Sequence, residues 1–222
     1  MLGRSYHTLI ASLPPLPPRF DVRRDPISAL RLEQRLRMLE EDDAAIIEQW
    51  RGFVQWDRQP LDRTDEEFIA KYDELMRNIS NTTLREMIQI RIDTRTIVSA
   101  IRRRRAGMPP PTGAGQWVDH IRRNYGEPEF KLAGQYSWVG AFDQLLAAGD
   151  AMGAERLLLG TNYTQWSQMA EHYTFSFEAI LLYLARWEII DRWTSGDAQA
   201  GQLRFQSILT ETLGDHAQLF PS

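Results

Sequence analysis

The stretch Thr83–Arg105, TLREMIQIRIDTRTIVSAIRRRR, is the longest uninterrupted helical pattern in the chain. Thr83 and Glu86 have capping-box spacing: the threonine hydroxyl accepts from the N–H of the third helical residue, and the glutamate reaches back to the threonine's own N–H. Arg102, Arg103, Arg104 and Arg105 sit at the negative end of the helix dipole, and Gly107 with Pro109, Pro110 and Pro111 then stops the helix. Leu84, Met87, Ile88, Ile90, Ile92, Ile97, Val98, Ala100 and Ile101 leave no wide polar face, so the pattern predicts a helix covered on most sides by others.

Asp93 interrupts this apolar helix. An unpaired buried carboxylate would cost several kcal/mol or take up a proton, so it needs a partner. Arg91 and Arg95 are two positions away, off its face, and the partner is expected from elsewhere in the chain. One reading is a buried contact that fixes helix packing; the other is a catalytic acid or metal ligand. The first is favoured, because no second carboxylate or histidine stands at i+3 or i+4 to share a metal or a proton. A packing role further predicts that leucine at this position is tolerated better than alanine, since it leaves no cavity.

The string IRIDTRTIVSAIRRRRAG resembles the signature helix of the C-type subunit of archaeal and bacterial V/A-type ATPases, the d-type subunit in eukaryotes, in which an Asp is followed three residues on by Asn and nine on by Arg. Asp93 and Arg102 match that spacing, and Thr96 stands in the Asn place. A second piece, FSFEAILLYLARWEIIDRW from Phe175 to Trp193, resembles the other repeated helix of that family, with Tyr183 and Glu188 on its Tyr-to-Glu spacing. The opening SYHTLIASLPPLP is similar to a shorter bacterial family thought to be the counterpart of the C-type subunit in bacterial V-type ATPases. The resemblance implies a non-catalytic rotor or stalk subunit, a socket coupling the central-shaft subunits to the membrane rotor ring for ATP-linked ion transport. It also implies a cytoplasmic protein, peripheral at the inner face of the membrane through its complex. On this reading Asp93, Thr96, Arg102–Arg105, Tyr183 and Glu188 are structural or interface residues, not catalytic ones, and no cofactor is implied. Two alternatives remain: a small helical enzyme acting on an anionic substrate, and a helical adaptor.

Composition narrows the classes. The chain has 222 residues and no cysteine, which excludes disulfides, thiol nucleophiles and cysteine-based metal sites. Its net charge of −4 is mildly repulsive to nucleic acid, which is not an expected partner. The longest strictly apolar run, Ala179–Ala185, is far short of a membrane span. Leu9–Leu13, followed by prolines, is too short for a signal-peptide core, so the mature chain is expected to start at Met1. No phosphate loop, H-E-x-x-H or G-x-S-x-G motif is present, and His7, His120, His172 and His216 lie far apart in sequence. Arg102–Arg105 is the best basic patch. Spread around a helix end without an aromatic platform, it suits the dipole and an acidic protein partner better than nucleic acid. Most of the seven tryptophans are expected in the core, and any half-exposed one would mark an interface.

Along the chain, Tyr6–Leu13 running into Pro14, Pro15, Pro17 and Pro18 suits an extended arm or short strand better than a helix. Asp25 or Ser28 is expected to cap a helix with Pro26 in its first turn, and Glu40–Asp43 to begin one over Ala44–Trp56. A capping box at Thr64 and Glu67 opens an amphipathic helix through Ile79. A turn over Asn78–Thr82 then makes an antiparallel hairpin with the central helix. Further helices are expected over Gln116–Tyr125, over Trp138–Ala148 capped by Ser137, and over Ala151–Leu159 capped by Asp150 and ended by Gly160. Tyr163–His172, Phe175–Trp193 and Asp197–Leu213 complete the set. The fold class is all-α: a multi-helix bundle of antiparallel hairpins, with an echo of two diverged repeats and an extended proline-rich N-terminal arm. One domain is expected over 1–222, with halves 1–112 and 113–222.

Overall fold

A computed structural model describes residues 5–58 and 65–196. Among these every regular element is helical, as the sequence pattern predicts. In order they are α1 (His7–Ser12), α2 (Ala29–Leu36), α3 (Glu41–Arg58), α4 (Asp65–Asn78), α5 (Thr82–Arg105), α6 (Val118–Arg123), a 3₁₀ turn (Pro128–Lys131), α7 (Trp138–Ala147), α8 (Ala151–Ala170) and α9 (177–196). Thr64 and the helix expected over Asp197–Leu213 lie outside the described residues.

Contacts divide the described residues into two compact units. One is Arg37–Thr161; the other comprises the described residues before and after it, so the division falls inside α8. No boundary falls at 112/113, because α5 and residues 113–116 belong to the same unit and are bonded to each other.

In the Arg37–Thr161 unit α5 is the core. Leu84, Met87, Ile88, Ile92, Ile97, Ala100 and Ile101 are all fully buried, as its nearly continuous apolar surface requires. Ile97, Ala100 and Ile101 pack with Ile121, Phe130, Leu132, Val139, Phe142 and Ala154 from the elements that follow. Each such aliphatic side chain contributes roughly 1.5–3 kcal/mol relative to exposure. The hairpin joining α4 to α5 is closed by Tyr72 bonding Gln89, two residues nearly equidistant from the turn, as antiparallel helices demand. Arg85 crosses the turn to the carbonyls of Met76 and Ile79 at 2.7 and 3.2 Å.

The cap of α5 differs from the capping-box expectation. Asn81 is the N-cap, its Oδ1 accepting from Leu84 N at 2.9 Å, and Thr83 is buried inside the first turn. Asparagine caps at least as well as threonine, and burial takes Thr83 into the helix. Ser137 stands at the start of α7 but makes no side-chain cap bond. Asp150 does cap α8, accepting from Gly153 N at 2.8 Å. Gly160 does not end that helix. Leu159, Tyr163 and Trp166 are buried on both sides of it, and their burial outweighs the cost of about 1 kcal/mol for an interior glycine.

In the other unit α9 is the buried element: Ile180 to Ala185, Trp187, Ile189 and Ile190 are all buried. The N-terminal segment is packed on it. Tyr6 N donates to Phe175 O at 2.7 Å, Trp187 Nε1 to Ile27 O at 2.8 Å, and Thr194 Oγ1 to Asp25 Oδ1 at 2.7 Å. Asp25 therefore spends its side chain on Thr194 and does not cap α2, and Pro26 precedes that helix instead of lying in its first turn. His7–Ser12 is helical, not an extended arm or strand: Leu9 is buried, Ser12 Oγ donates to Leu9 O at 2.6 Å, and α1 packs on α2. Tertiary burial has stabilised a turn that is too short to form alone. The segment becomes non-helical at Leu13, where the prolines follow.

Candidate functional site

The polar residues of α5 converge on the loop that approaches it over residues 113–116. Asp93 is 1% exposed and its carboxylate accepts three hydrogen bonds: from Gln89 Nε2 at 3.0 Å and Gln116 N at 3.0 Å on Oδ1, and from Gln116 Nε2 at 2.9 Å on Oδ2. One turn on, Thr96 Oγ1 donates to Ala114 O at 2.8 Å. Asp93 and Thr96 thus hold a loop carbonyl and a loop N–H two residues apart and satisfy peptide groups that leave water as the loop packs down. Gly115 between them is required twice over. Its φ is +112°, and a Cβ there would lie 2.6 Å from Asp93 Oδ1 and 3.2 Å from Ile92 Cγ2.

The latch extends outward. The Tyr72 hydroxyl donates to Gln89 Oε1, which orients the glutamine amide so that its Nε2 faces Asp93. Burial raises the Asp93 pKa above the usual carboxylate value, while the bonds from Gln89 and Gln116 pull it back. The phenols of Tyr72 and Tyr136 are both pushed up, by burial first and by the nearby Asp93 charge second, so both stay neutral. The partners of Asp93 are neutral amides, one from another segment and one from its own helix.

The four arginines that end α5 do not act as one surface. Arg103 Nε donates to Pro109 O at 2.8 Å. Arg104 donates to Glu127 O at 3.0 Å, lies 4.5 Å over the Phe130 ring, and has Asp143 Oδ2 at 3.6 Å. Arg105 forks onto Asp143, with Nε to Oδ1 and Nη2 to the main-chain carbonyl, both at 2.6 Å. Arg102 is exposed, with no ion pair among the described residues. Arg104 also secures a strained turn, since Glu129, Phe130 and Lys131 all have φ near +50°. Phe130, stacked on Tyr125 and completely buried, holds that left-handed backbone in place.

Tyr183 and Glu188 lie on α9, in the unit that contains the N-terminal segment. The Tyr183 hydroxyl donates to Pro14 O at 2.9 Å and burial pushes its pKa up to about 12. Tyr163 on α8 makes the same bond to Pro17 O at 2.5 Å. Two phenols therefore bind two carbonyls of the proline run, whose amide nitrogens carry no hydrogen. Glu188 is half-buried and partnered.

Chemically, the Asp93 carboxylate is occupied by donors and suited to holding a loop. Among the described residues no group of three or more His, Asp or Glu converges to hold a metal, and no helix is long and apolar enough to cross a membrane. Of the tryptophans, Trp50, Trp138, Trp166 and Trp187 are buried, while Trp117 and Trp193 are half-buried. Gln89, Gln116, Gly115 and Asp143 were not singled out by sequence. Gln89 stands at i−4 from Asp93, a spacing that places it on the same face and could have revealed it. Residues 55–214 match a family model described as "Protein of unknown function (DUF2764)". No curated protein and no solved structure matches the chain.

Proposed function

The chain belongs to the DUF2764 family, and from that premise we propose that it is a non-catalytic rotor or stalk subunit of a V/A-type ATPase, coupling the central shaft to the membrane rotor ring during ATP-linked ion transport. Its partners on this reading are the shaft subunits and the ring, and it sits on the cytoplasmic face, peripheral to the membrane through the complex. The observation that carries the proposal is the latch at Asp93. Asp93, on whose spacing to Arg102 the likeness to the C-type subunit rests, and Thr96, in the place of that family's Asn, both use their side chains to fix a loop to the core helix, as a torque-bearing part requires. The carboxylate is 1% exposed and already accepts three hydrogen bonds, which counts against the helical-enzyme reading.

Co-purification tests it. The chain, expressed with the shaft and ring proteins of its own organism, joins a complex containing both, and by itself neither binds nor hydrolyses ATP. If folded shaft and ring proteins both fail to retain it, or the isolated chain turns over ATP, the proposal is lost.

A further inference from the structure

The segment that leaves α5 is pinned by its main chain. Met108 N donates to Arg103 O at 2.8 Å, Arg103 Nε to Pro109 O at 2.8 Å, and the Tyr125 hydroxyl to Met108 O at 3.0 Å. Next along, Pro110 joins Asp119, Arg122 and Arg123 of α6 around an open hollow of about 510 Å³. Arg122 is exposed, with no ion pair among the described residues, and Arg123 spends only its Nε, on the main-chain carbonyl of Asp119 at 3.2 Å. Met108 is 48% exposed on the same segment. Arg104 and Arg105 share Asp143, so the fold engages those two guanidiniums and leaves the ones at the hollow facing water.

We infer that this hollow is a docking surface for an acidic stretch of polypeptide, with carboxylates on Arg122 and Arg123 and a donor, main-chain N–H or hydroxyl, on Asp119. The lining selects the partner class. Arg122 and Arg123 favour an anion, and a forked guanidinium matches a carboxylate with two parallel bonds. Asp119 repels a polymer charged at every unit more than one whose acids alternate with neutral residues, which disfavours RNA and polyphosphate. The same carboxylate accepts from the N–H groups that a peptide supplies between its acids. Exposed Met108 and half-buried Pro110 add apolar contact for the intervening side chains. Charge and geometry carry this independently of the rotor reading, so the two can fail separately.

The test uses the full chain and a short peptide of alternating glutamate and glycine, with a uridine hexanucleotide and inorganic phosphate as competing probes, followed by calorimetry at several salt concentrations. The wild-type protein binds the peptide more tightly than either other probe, and the binding weakens as salt rises. Reversal of both charges, Arg122→Glu with Arg123→Glu, lowers affinity by about tenfold or more, whereas Arg35→Glu at an exposed position on α2 changes it less than about twofold. Circular dichroism checks that the doubly reversed protein is folded; if it is not, Arg122→Gln carries the comparison and is expected to weaken binding by about threefold. No binding of the peptide by the wild type overturns the assignment. So does tighter binding of the nucleotide or phosphate, or an affinity indifferent to Arg122 and Arg123.

Discussion

Replacing Asp93 by alanine, leucine or asparagine tests the latch, because the three remove different things. Alanine deletes both acceptor oxygens. Gln116 is exposed and Gln89 half-buried, so water can take up their side-chain amides, but the Gln116 main-chain N–H is packed against α5 and loses its acceptor. A stranded donor of that kind costs about 1–3 kcal/mol, and the small cavity adds to it, so Asp93→Ala should lose roughly 2–4 kcal/mol. For a chain of this size that is a fall in Tm of about 4–16 °C. Leucine does no better, which reverses the expectation drawn from sequence. Its methyl groups would occupy oxygen positions that lie 3.0 Å from nitrogen and close against Gly115, with no acceptor in return. Asparagine is different. Its oxygen keeps Gln89 and Gln116 N, and its amide faces the Gln116 side chain, which is exposed and free to turn its own oxygen inward. Asp93→Asn should therefore stay within about 1 kcal/mol of wild type at neutral pH. The pH dependence gives a second readout. Burial raises the folded-state pKa of Asp93 above the unfolded value of 3.8, so its favourable contribution is fully present below pH 3.8 and is lost as pH rises through the folded value. Asparagine does not titrate, so its stability relative to wild type should increase across that window, by about 1.4 kcal/mol for each pH unit of the shift. Urea unfolding followed by tryptophan fluorescence from pH 4 to pH 8 measures both. An asparagine variant as unstable as alanine at pH 7, or one whose stability parallels wild type throughout, would refute this account of the latch.

Three further outcomes follow from the same contacts. Gly115→Ala should cost about 2–4 kcal/mol, from a positive φ and a Cβ driven onto Asp93, whereas Gly113→Ala, with only an ordinary 3.8 Å contact to Thr96, should cost under about 1 kcal/mol; equal urea midpoints for the two would contradict the latch geometry. Asp143→Ala removes a half-exposed pair while Arg105 keeps the main-chain carbonyl, so the loss should be under about 1 kcal/mol and should shrink in salt; thermal unfolding at low and high ionic strength decides it. Tyr183→Phe should cost about 1 kcal/mol through the Pro14 bond. Because the folded pKa of Tyr183 is raised from 10.0 to about 12, the stability it gives is intact below pH 10 and lost as pH climbs through about 12; alkaline unfolding curves should therefore be flatter in the phenylalanine variant, and identical curves would exclude a buried phenol at this position.

The helices were legible wherever apolar periodicity and a cap agreed. Thr82–Arg105 could be placed to within a residue because its start follows a short polar turn and its end meets Gly107 and three prolines. Local signals misled where burial or competition for a side chain decided the outcome. Leu9 pulled a helix out of a segment that propensity alone leaves extended, and Trp166 with Tyr163 carried α8 through Gly160. Asp25, a good cap by type, was claimed by Thr194 far along the chain.

The site shows the same limit more sharply. Sequence could locate the anomalous Asp93 because a charge inside an apolar pattern is visible one residue at a time, and it could demand a partner. It could not choose among charged, neutral and main-chain partners, since these differ only in which loop returns to α5. The returning loop had a marker, Gly113 and Gly115 just after the proline break, yet glycine there reads as flexibility until a carboxylate is found where its Cβ would be. The arginines pose the complementary problem. Four in a row at a helix end look like one patch, but a helix turns each successive side chain by about 100°, so Arg104 and Arg105 meet Asp143 while Arg102 faces water. Their sequence adjacency therefore says little about a shared partner. Arg122 and Arg123, distant in sequence from Pro110 and lining one hollow with it, form the more coherent basic surface. Charge reversal at that hollow should disturb binding more than reversal at Arg104 or Arg105, where the first loss is an internal ion pair and the measurable change is in stability.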